Sequence, residues 1–255
     1  MRAFRWGSPG GPFWGGCHHL FGIDPGSIFD LEPLNGLLAR LSPIAVPRVR
    51  RKATLAGRSC VVVDYVPGAP LEAFDHLPES ALEELGRALA CIHCRRFASY
   101  GHPTGKPRHP LPTFHTRLAE TMRLLVDQFY QHDARISAAL EPMWAAALQL
   151  PPLEVGALVM IDLDPTQFLT DGEHLTGLID TEAYVIGPRA FDFIALEYLL
   201  TQPGAAAVAR GYAGLLPLPD LVAVRPVYRY FYRLLEAQGK IDLAEWMARP
   251  RVFVL

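Results

Sequence analysis

Residues 158–180 read LVMIDLDPTQFLTDGEHLTGLID and contain three short apolar runs, each followed by polar or turn-forming residues. The first run ends at Asp162, and a proline follows three residues later, which is typical of a strand that opens into a loop. Asp171-Gly172 separates the second and third runs, and this dipeptide between apolar runs predicts a β-hairpin. Because the two ends of a hairpin lie side by side, we expect the loop with Asp162 and Gln167 to lie next to Asp180.

Two carboxylates and an amide at one place suit phosphoryl transfer. In that reaction one carboxylate orients a hydroxyl group, while the amide and the second carboxylate hold Mg²⁺, which neutralises phosphate oxygens. The alternative is an ordinary hairpin whose acidic side chains are simply solvated.

The same stretch resembles the catalytic segment of the aminoglycoside phosphotransferase and choline kinase-like family. That segment usually reads His-Gly-Asp-Leu-His-Pro-x-Asn, followed by a hairpin and then by Ile-Asp-Trp/Phe-Glu. Here residues 160–167 read Met-Ile-Asp-Leu-Asp-Pro-Thr-Gln, and residues 179–182 read Ile-Asp-Thr-Glu. The family's later Gly-Asp-Pro…Asp-Leu-Ala is echoed by residues 187–195, GPRAFDFIA. The resemblance covers most of the chain from Leu34 onward.

This resemblance implies roles for individual residues. Asp162 would orient the acceptor hydroxyl and accept its proton, and Asp180 and Gln167 would hold Mg²⁺. Asp164 would assist the metal at a position where the family commonly has histidine. Within the same motif the chain departs from the family at three further positions, with Met160 for histidine, an isoleucine at 161 for glycine, and glutamine at 167 for the metal-binding asparagine.

Composition restricts the class of protein. The chain has 255 residues, of which 50% are hydrophobic and 20% charged, with a net charge of −2, so we expect a globular protein that binds neither nucleic acid nor membrane. No apolar run approaches the ~18 residues that span a bilayer, and no export signal is evident, which makes the cytoplasm the expected location. Four cysteines do not form a disulfide framework, and we interpret them as reduced thiols.

The N-terminal segment is expected to be mostly β-structure. Residues 1–30 predict two strands joined by a Gly-rich loop, whose Gly15 and Gly16 could place backbone N–H groups over ATP phosphates. A plain turn or a poorly ordered terminus is the alternative. Residues 28–31 predict a third strand, and residues 34–41 a helix. Two further strands are expected at residues 46–49 and 59–63.

Residues 64–71, DYVPGAPL, resemble the family hinge, usually Glu-x-x-Pro-Gly-x-x-Leu. The backbone of Asp64, Tyr65 and Val66 could offer hydrogen bonds to the edge of an adenine ring. The lysine that the family carries just before its first helix is missing, because the first lysine is Lys52. Glu32 therefore has no partner of the expected kind, although Arg40 or Lys52 could reach it.

Apolar residues at helical spacing predict the helices of the C-terminal part, at residues 79–94, 117–131, 138–150, 191–200, 205–216 and 225–238. His93 at the end of the first of these is interpreted as a packing residue. Arg225, Arg229 and Arg233 lie four apart on one helical face, which is either solvated or an anion site. The second interpretation predicts a neutral or anionic acceptor and excludes aminoglycosides.

Together these features predict an α+β protein with the two-lobed protein kinase-like fold. Its parts would be a short β-rich N-lobe at residues 1–63, a hinge at 64–71 and a helical C-lobe at 72–255. The predicted function is ATP- and Mg²⁺-dependent phosphorylation of a hydroxyl on a small molecule or peptide. The alternative is a pseudokinase that serves as a binding or scaffolding subunit of a partner enzyme.

Overall fold

The structure, a computed structural model, describes residues 2–3, 10–105 and 107–254, with side chains from residue 10 onward. Its N-terminal part is an antiparallel sheet of three strands in the order β1-β3-β2. These strands are β1 Arg2–Ala3, β2 Val49–Leu55 and β3 Arg58–Val63. Val61 of β3 is buried against Ile28 and Leu31, which attaches the sheet to the start of the following helix.

The predicted strand at residues 28–31 is wrong, because a 3-10 turn at Ile28–Asp30 leads directly into helix α2, Leu31–Leu41. This turn lets Ile28 and Leu31 face the same side, where they cover β3. The predicted helix at residues 34–41 is confirmed, and it begins three residues earlier than the apolar spacing indicated.

The predicted strand, Gly-rich loop and second strand in residues 1–30 are also wrong where the structure describes them. Residues 1 and 4–9 lie outside the described residues, but helix α1, Pro12–Phe21, replaces the end of the loop and the second strand. Pro12 occupies the first helical position, where its missing N–H costs nothing, and Gly22 ends the helix in the left-handed conformation at φ 71°.

Helix α1 packs into the helical part of the molecule through small residues. Gly16 and Cys17 are buried, and a Cβ atom at Gly16 would lie 2.4 Å from the Cδ2 atom of Leu235. The glycines that the sequence assigned to a phosphate loop therefore lie inside a helix, where Gly16 allows close packing.

The hairpin predicted around Asp171-Gly172 is confirmed. Strands β8, Phe168–Thr170, and β9, Leu175–Leu178, pair antiparallel, and Gly172 adopts φ 100° in the turn. The end of the predicted hinge forms strand β4, Ala69–Pro70, which pairs with β8 as the third strand of this sheet.

A third sheet, which has four strands, carries the strand that precedes Asp162. Its strands are β5 Ser99–Gly101, β6 Arg108–Pro110, β7 Ala157–Met160 and β10 Tyr184–Gly187, in the order β6-β5-β10-β7. Strands β7 and β10 are buried along their whole lengths, which places the end of β7 deep in the protein.

Six of the remaining helices correspond closely to the predicted helices, and a short one follows them. They are α3 Glu79–His93, α4 Phe114–Phe129, α5 Ala134–Gln149, α6 Ala190–Leu196, α7 Gln202–Ala213, α8 Arg225–Leu235 and α9 Leu243–Met247. Their apolar faces join α1 and the four-stranded sheet in one continuous core. None of the described helices is long and apolar enough to cross a bilayer.

Candidate active site

Backbone hydrogen bonds bring the predicted site residues together. The amide of Ile179 donates to the Gln167 carbonyl at 2.8 Å, and the amide of Ile161 donates to the Ala183 carbonyl at 3.3 Å. These two bonds join the segment around Asp162 to the segment around Asp180. The structure therefore places Asp162, Gln167 and Asp180 at the same end of the hairpin, as the sequence indicated, while their chemical roles stay predictions.

The loop after β7 is held by a capping box in a short 3-10 helix, Pro165–Gln167. The Asp164 carboxylate accepts the Thr166 amide at 2.9 Å and the Thr166 hydroxyl at 2.5 Å. In return, the Gln167 side-chain oxygen accepts the Asp164 amide at 2.9 Å. Gln167 is buried, so both side chains are part of the framework of the loop.

Asp162 lies in the middle of this loop in a poorly solvated position. The residue is half-buried, and its Oδ1 atom is enclosed without a hydrogen-bond partner among the described residues. Burial raises the pKa of Asp162 to about 7, and the negative charges of Glu182 and Asp164 act in the same direction. A hydrogen bond from the Gln167 side chain opposes this rise. A carboxyl group with this pKa exchanges its proton near neutral pH, as a general base must.

Helix α1 reaches the surroundings of Asp162. The thiol of Cys17 is fully buried, and its pKa is raised well above the ordinary value by burial and, secondarily, by the charge of Asp162. Nothing in the local sequence of α1 indicates this neighbour, because the contact joins residues far apart in the chain.

The end of β7 is anchored by a buried carboxylate that the sequence reading missed. The Oδ1 atom of Asp192 accepts the Met160 amide at 2.9 Å, and its Oδ2 atom lies 3.0 Å from the Nε2 atom of His93. The Nδ1 atom of His93 lies 2.9 Å from the Tyr212 hydroxyl, which also accepts from Arg189 at 2.9 Å. Burial raises the pKa of Asp192, and the bonds from His93 and Met160 oppose the rise. His93 is thus a buried packing residue, as expected, and it also supports the strand that leads to Asp162.

Helix α2 contacts the site through Asn35. Its side-chain oxygen accepts the Thr181 hydroxyl at 2.5 Å, one residue after Asp180, and its amide nitrogen donates to the Pro47 carbonyl at 2.8 Å. Glu32 of the same helix pairs with Lys52 of β2 at 2.6 Å, so Lys52, one of the two candidates from the sequence, is its partner. Because both side chains are exposed to solvent, this ion pair contributes at most about 1 kcal/mol.

The predicted hinge residues lie beside an open cavity of about 510 Å³ that is also lined by residues 42–46 and 48. Asp64 donates its amide to the Arg48 carbonyl at 2.9 Å, and its carboxylate pairs with Arg50, which lowers its pKa. Tyr65 is 86% exposed, and Val66 is half-buried. The hydrogen-bonding capacity of Asp64 is therefore partly used, and adenine binding by this segment stays a prediction.

The arginine stripe on α8 does not form a solvated face or face an acceptor. Arg225, Arg229 and Arg233 are 7%, 2% and 2% exposed. The carboxylate of Glu197 lies 3.2 Å from Arg225 and 2.8 Å from Arg229, and Arg233 donates to the Ile241 carbonyl. The predicted repulsion of aminoglycosides by this stripe is therefore wrong, because the three arginines bind the C-terminal segment of their own chain.

Among the described residues, no group of three or more His, Cys, Asp or Glu side chains could hold a metal ion. The capping box uses oxygens of Asp164 and Gln167, which does not favour either residue as a magnesium ligand. A single carboxylate such as Asp180 still fits Mg²⁺, because this ion is usually bound by one or two carboxylates together with substrate phosphates.

The capping box makes a prediction about Gln167. Gln167→Asn shortens the side chain by one methylene, so it should lose the bond to the Asp164 amide and lower the free energy of unfolding by about 1 kcal/mol. Urea unfolding measures this change, and Gln149→Asn, at the end of α5, is the control. An unchanged or higher stability of Gln167→Asn would show that position 167 does not depend on the capping box.

Comparisons with known proteins identify the family and the fold. The model of a family described as "Phosphotransferase enzyme family" matches residues 34–230. No curated protein matches the chain.

Three solved structures show the same fold. The macrolide 2'-phosphotransferase MphH from Brachybacterium faecium is 18% identical with a TM-score of 0.52, and the match covers 85% of this chain and 77% of that one. APH(2″)-IIIa with GDP and kanamycin is 19% identical with a TM-score of 0.58, and the match covers 83% of this chain and 73% of that one. A mutant of APH(4)-Ia with AMP-PNP and hygromycin B is 16% identical with a TM-score of 0.57, and the match covers 82% of this chain and 74% of that one. The prediction of a two-lobed kinase-like α+β fold is thus confirmed.

Proposed function

Because the chain belongs to the phosphotransferase enzyme family, we propose that it transfers the terminal phosphoryl group of ATP to a hydroxyl group on a small molecule or peptide. The observation that carries this proposal is the position of Asp162. It follows a buried strand anchored by Asp192, lies in a loop fixed by a capping box, and has a pKa of about 7.

In the proposed reaction, the acceptor oxygen attacks the terminal phosphorus while the bond to the bridging oxygen breaks and ADP leaves. The acceptor hydroxyl loses its proton to the Asp162 carboxylate. A magnesium ion that arrives with the nucleotide would be held by Asp180 and would neutralise charge on the phosphate oxygens. Gln167 and Asp164 keep the loop, and with it Asp162, in position.

This role for Asp180 predicts metal-dependent binding. Asp180→Asn should weaken ATP binding in the presence of Mg²⁺ at least about tenfold, equivalent to about 1.4 kcal/mol, because the amide brings no charge to the ion. Binding in EDTA should be unchanged, and Asp171→Asn in the exposed hairpin turn is the control. An equal loss with and without Mg²⁺ would contradict the metal role and indicate a structural one.

A pseudokinase that serves as a binding or scaffolding subunit of a partner enzyme is the second candidate function. Helix α1 favours it, because Gly15 and Gly16 are helical and no Gly-rich loop between strands covers the site within residues 10–105 and 107–254. Thermal unfolding with ATP tests both candidates, since a ligand at 100 times its Kd adds about 2.7 kcal/mol of stability. Stabilisation by ATP without turnover of any hydroxyl compound would favour a nucleotide-binding subunit, and no stabilisation would favour a scaffolding subunit.

A further inference from the structure

A cavity of about 400 Å³ lies between α7, residues 218–222 and the C-terminal residues 251–254. Its volume is within the range of small-molecule sites, about 300–1,000 Å³. The walls are mostly apolar and include Phe193, Ala205, Ala209, Leu221, Val252 and Phe253. Gln202 ties α7 to the C-terminal segment by donating to the Val252 carbonyl at 3.1 Å.

The charged group of this cavity comes from the buried arginine cluster. Glu197 carries one negative charge and contacts two guanidinium groups, so the three side chains have a net charge of +1 with almost no exposure to solvent. Arg229 gives its terminal nitrogens to Glu197 and to the carbonyls of Met247, Arg249 and Pro250. The excess positive charge is therefore not available on Arg229.

Arg225 is the member of this cluster that lines the cavity. Its Nε atom lies 3.2 Å from both Glu197 oxygens, and its Nη2 atom donates to the Phe253 carbonyl at 2.8 Å. Its Nη1 atom makes no hydrogen bond to a described residue, is not among the fully enclosed atoms, and belongs to a side chain that lines the cavity. Arg225 thus brings to the lining of a mostly apolar cavity a donor nitrogen that no described residue binds.

The lining itself contains three arginines, Arg210, Arg225 and Arg251, and one carboxylate, Asp220. Arg251 is exposed and makes no ion pair with a described residue, whereas Arg210 is paired with Glu79 and Glu83. Asp220 is the acidic residue of the lining, and its Oδ1 atom accepts the Val222 amide. Arg225 and Arg251, against the one carboxylate of Asp220, favour an anion over a cation.

We propose that this cavity binds a small monocarboxylate with an apolar body, its carboxylate on Arg225 and Arg251 and its hydrocarbon part against Ala209, Leu221 and Phe253. Apolar walls recognise the hydrocarbon part, and the two guanidinium groups select a carboxylate over an alcohol of the same shape. None of its lining residues belongs to the Asp162 loop, and the proposal does not rest on phosphoryl transfer.

Octanoate is a suitable probe, with octan-1-ol as its uncharged counterpart. Amide NMR on the full chain should show shifts at Val252, Phe253 and Leu221 with octanoate at about 1 mM, and octanol should bind at least tenfold more weakly. Arg251→Gln should weaken octanoate binding about tenfold, and Ala209→Phe should abolish it by filling the cavity. Arg40→Gln, at an exposed position of α2, is the control for the loss of a surface charge.

Arg225→Gln is a poor first variant because it disturbs the contact with Glu197, so the test rests on positions 209 and 251. The proposal is overturned if octanoate shifts none of these three amides, or if octanol binds as tightly as octanoate. Octanoate binding to Arg251→Gln and Ala209→Phe that equals binding to the unmodified chain would also overturn it. Each result is independent of nucleotide turnover, so failure of this site and failure of the proposed function are separate outcomes.

Discussion

Asp162→Asn should lower the rate of phosphoryl transfer by roughly 10²- to 10⁴-fold, because an amide cannot accept the hydroxyl proton. ATP binding should persist, since the nucleotide is assigned to other residues. The measurement is the rate of ADP formation in the presence of an acceptor, with Asp127→Asn on the exposed face of α4 as the matched control. Equal rates for Asp162→Asn and the unmodified chain would contradict the assignment.

The same substitution should stabilise the fold at alkaline pH. The folded protein holds the Asp162 proton up to a pKa of about 7, whereas an unfolded chain loses it near 4. The group therefore contributes its full stability below about pH 4 and loses that contribution as the pH rises to about 7. At about 1.4 kcal/mol per pKa unit, the loss amounts to as much as about 4 kcal/mol. Above pH 7 the asparagine variant should unfold at higher urea concentration than the unmodified chain, and near pH 4 the difference should disappear.

Arg229→Leu should give the largest loss of stability, about 3 to 5 kcal/mol. The substitution removes one of the two cations beside the fully buried Glu197 and leaves the carbonyls of Met247, Arg249 and Pro250 without their donor. Urea unfolding at pH 7 measures the loss.

Arg249→Leu provides the comparison. Its ion pair with Glu245 is 3.9 Å long and exposed on both sides, so removal should cost less than about 1 kcal/mol. If Arg229→Leu were as mild as Arg249→Leu, the cluster would not be what fastens the C-terminal segment.

The sequence was informative where the signal is local. Asp171-Gly172 specified the hairpin because few dipeptides adopt the required turn, and Leu82, Leu85 and Leu89 specified α3 because their spacing matches one helical face. The convergence of Asp162 and Asp180 followed from the hairpin alone.

The sequence was misleading where the structural role of a residue depends on a partner that is distant in the chain. The buried face of α1 includes Gly16, which resembles a loop residue until Leu235 is seen to pack against it. The arginine periodicity of α8 showed which residues share a face, but Glu197, which pairs with Arg225 and Arg229, comes from another segment. Likewise, Asp192 holds the amide of Met160 from 32 positions away, and no local pattern indicates such a contact.

The most direct test of the proposed function follows the phosphorus atoms of ATP by ³¹P NMR while the protein is incubated with Mg²⁺ and a panel of hydroxyl compounds that includes aminoglycosides, macrolides and sugars. Phosphoryl transfer predicts a new phosphomonoester signal that grows as the terminal phosphate signal of ATP declines, with neither change in Asp162→Asn. ATP that is bound by the unmodified chain but stays intact with every acceptor would contradict the proposal and identify the protein as a nucleotide-binding subunit.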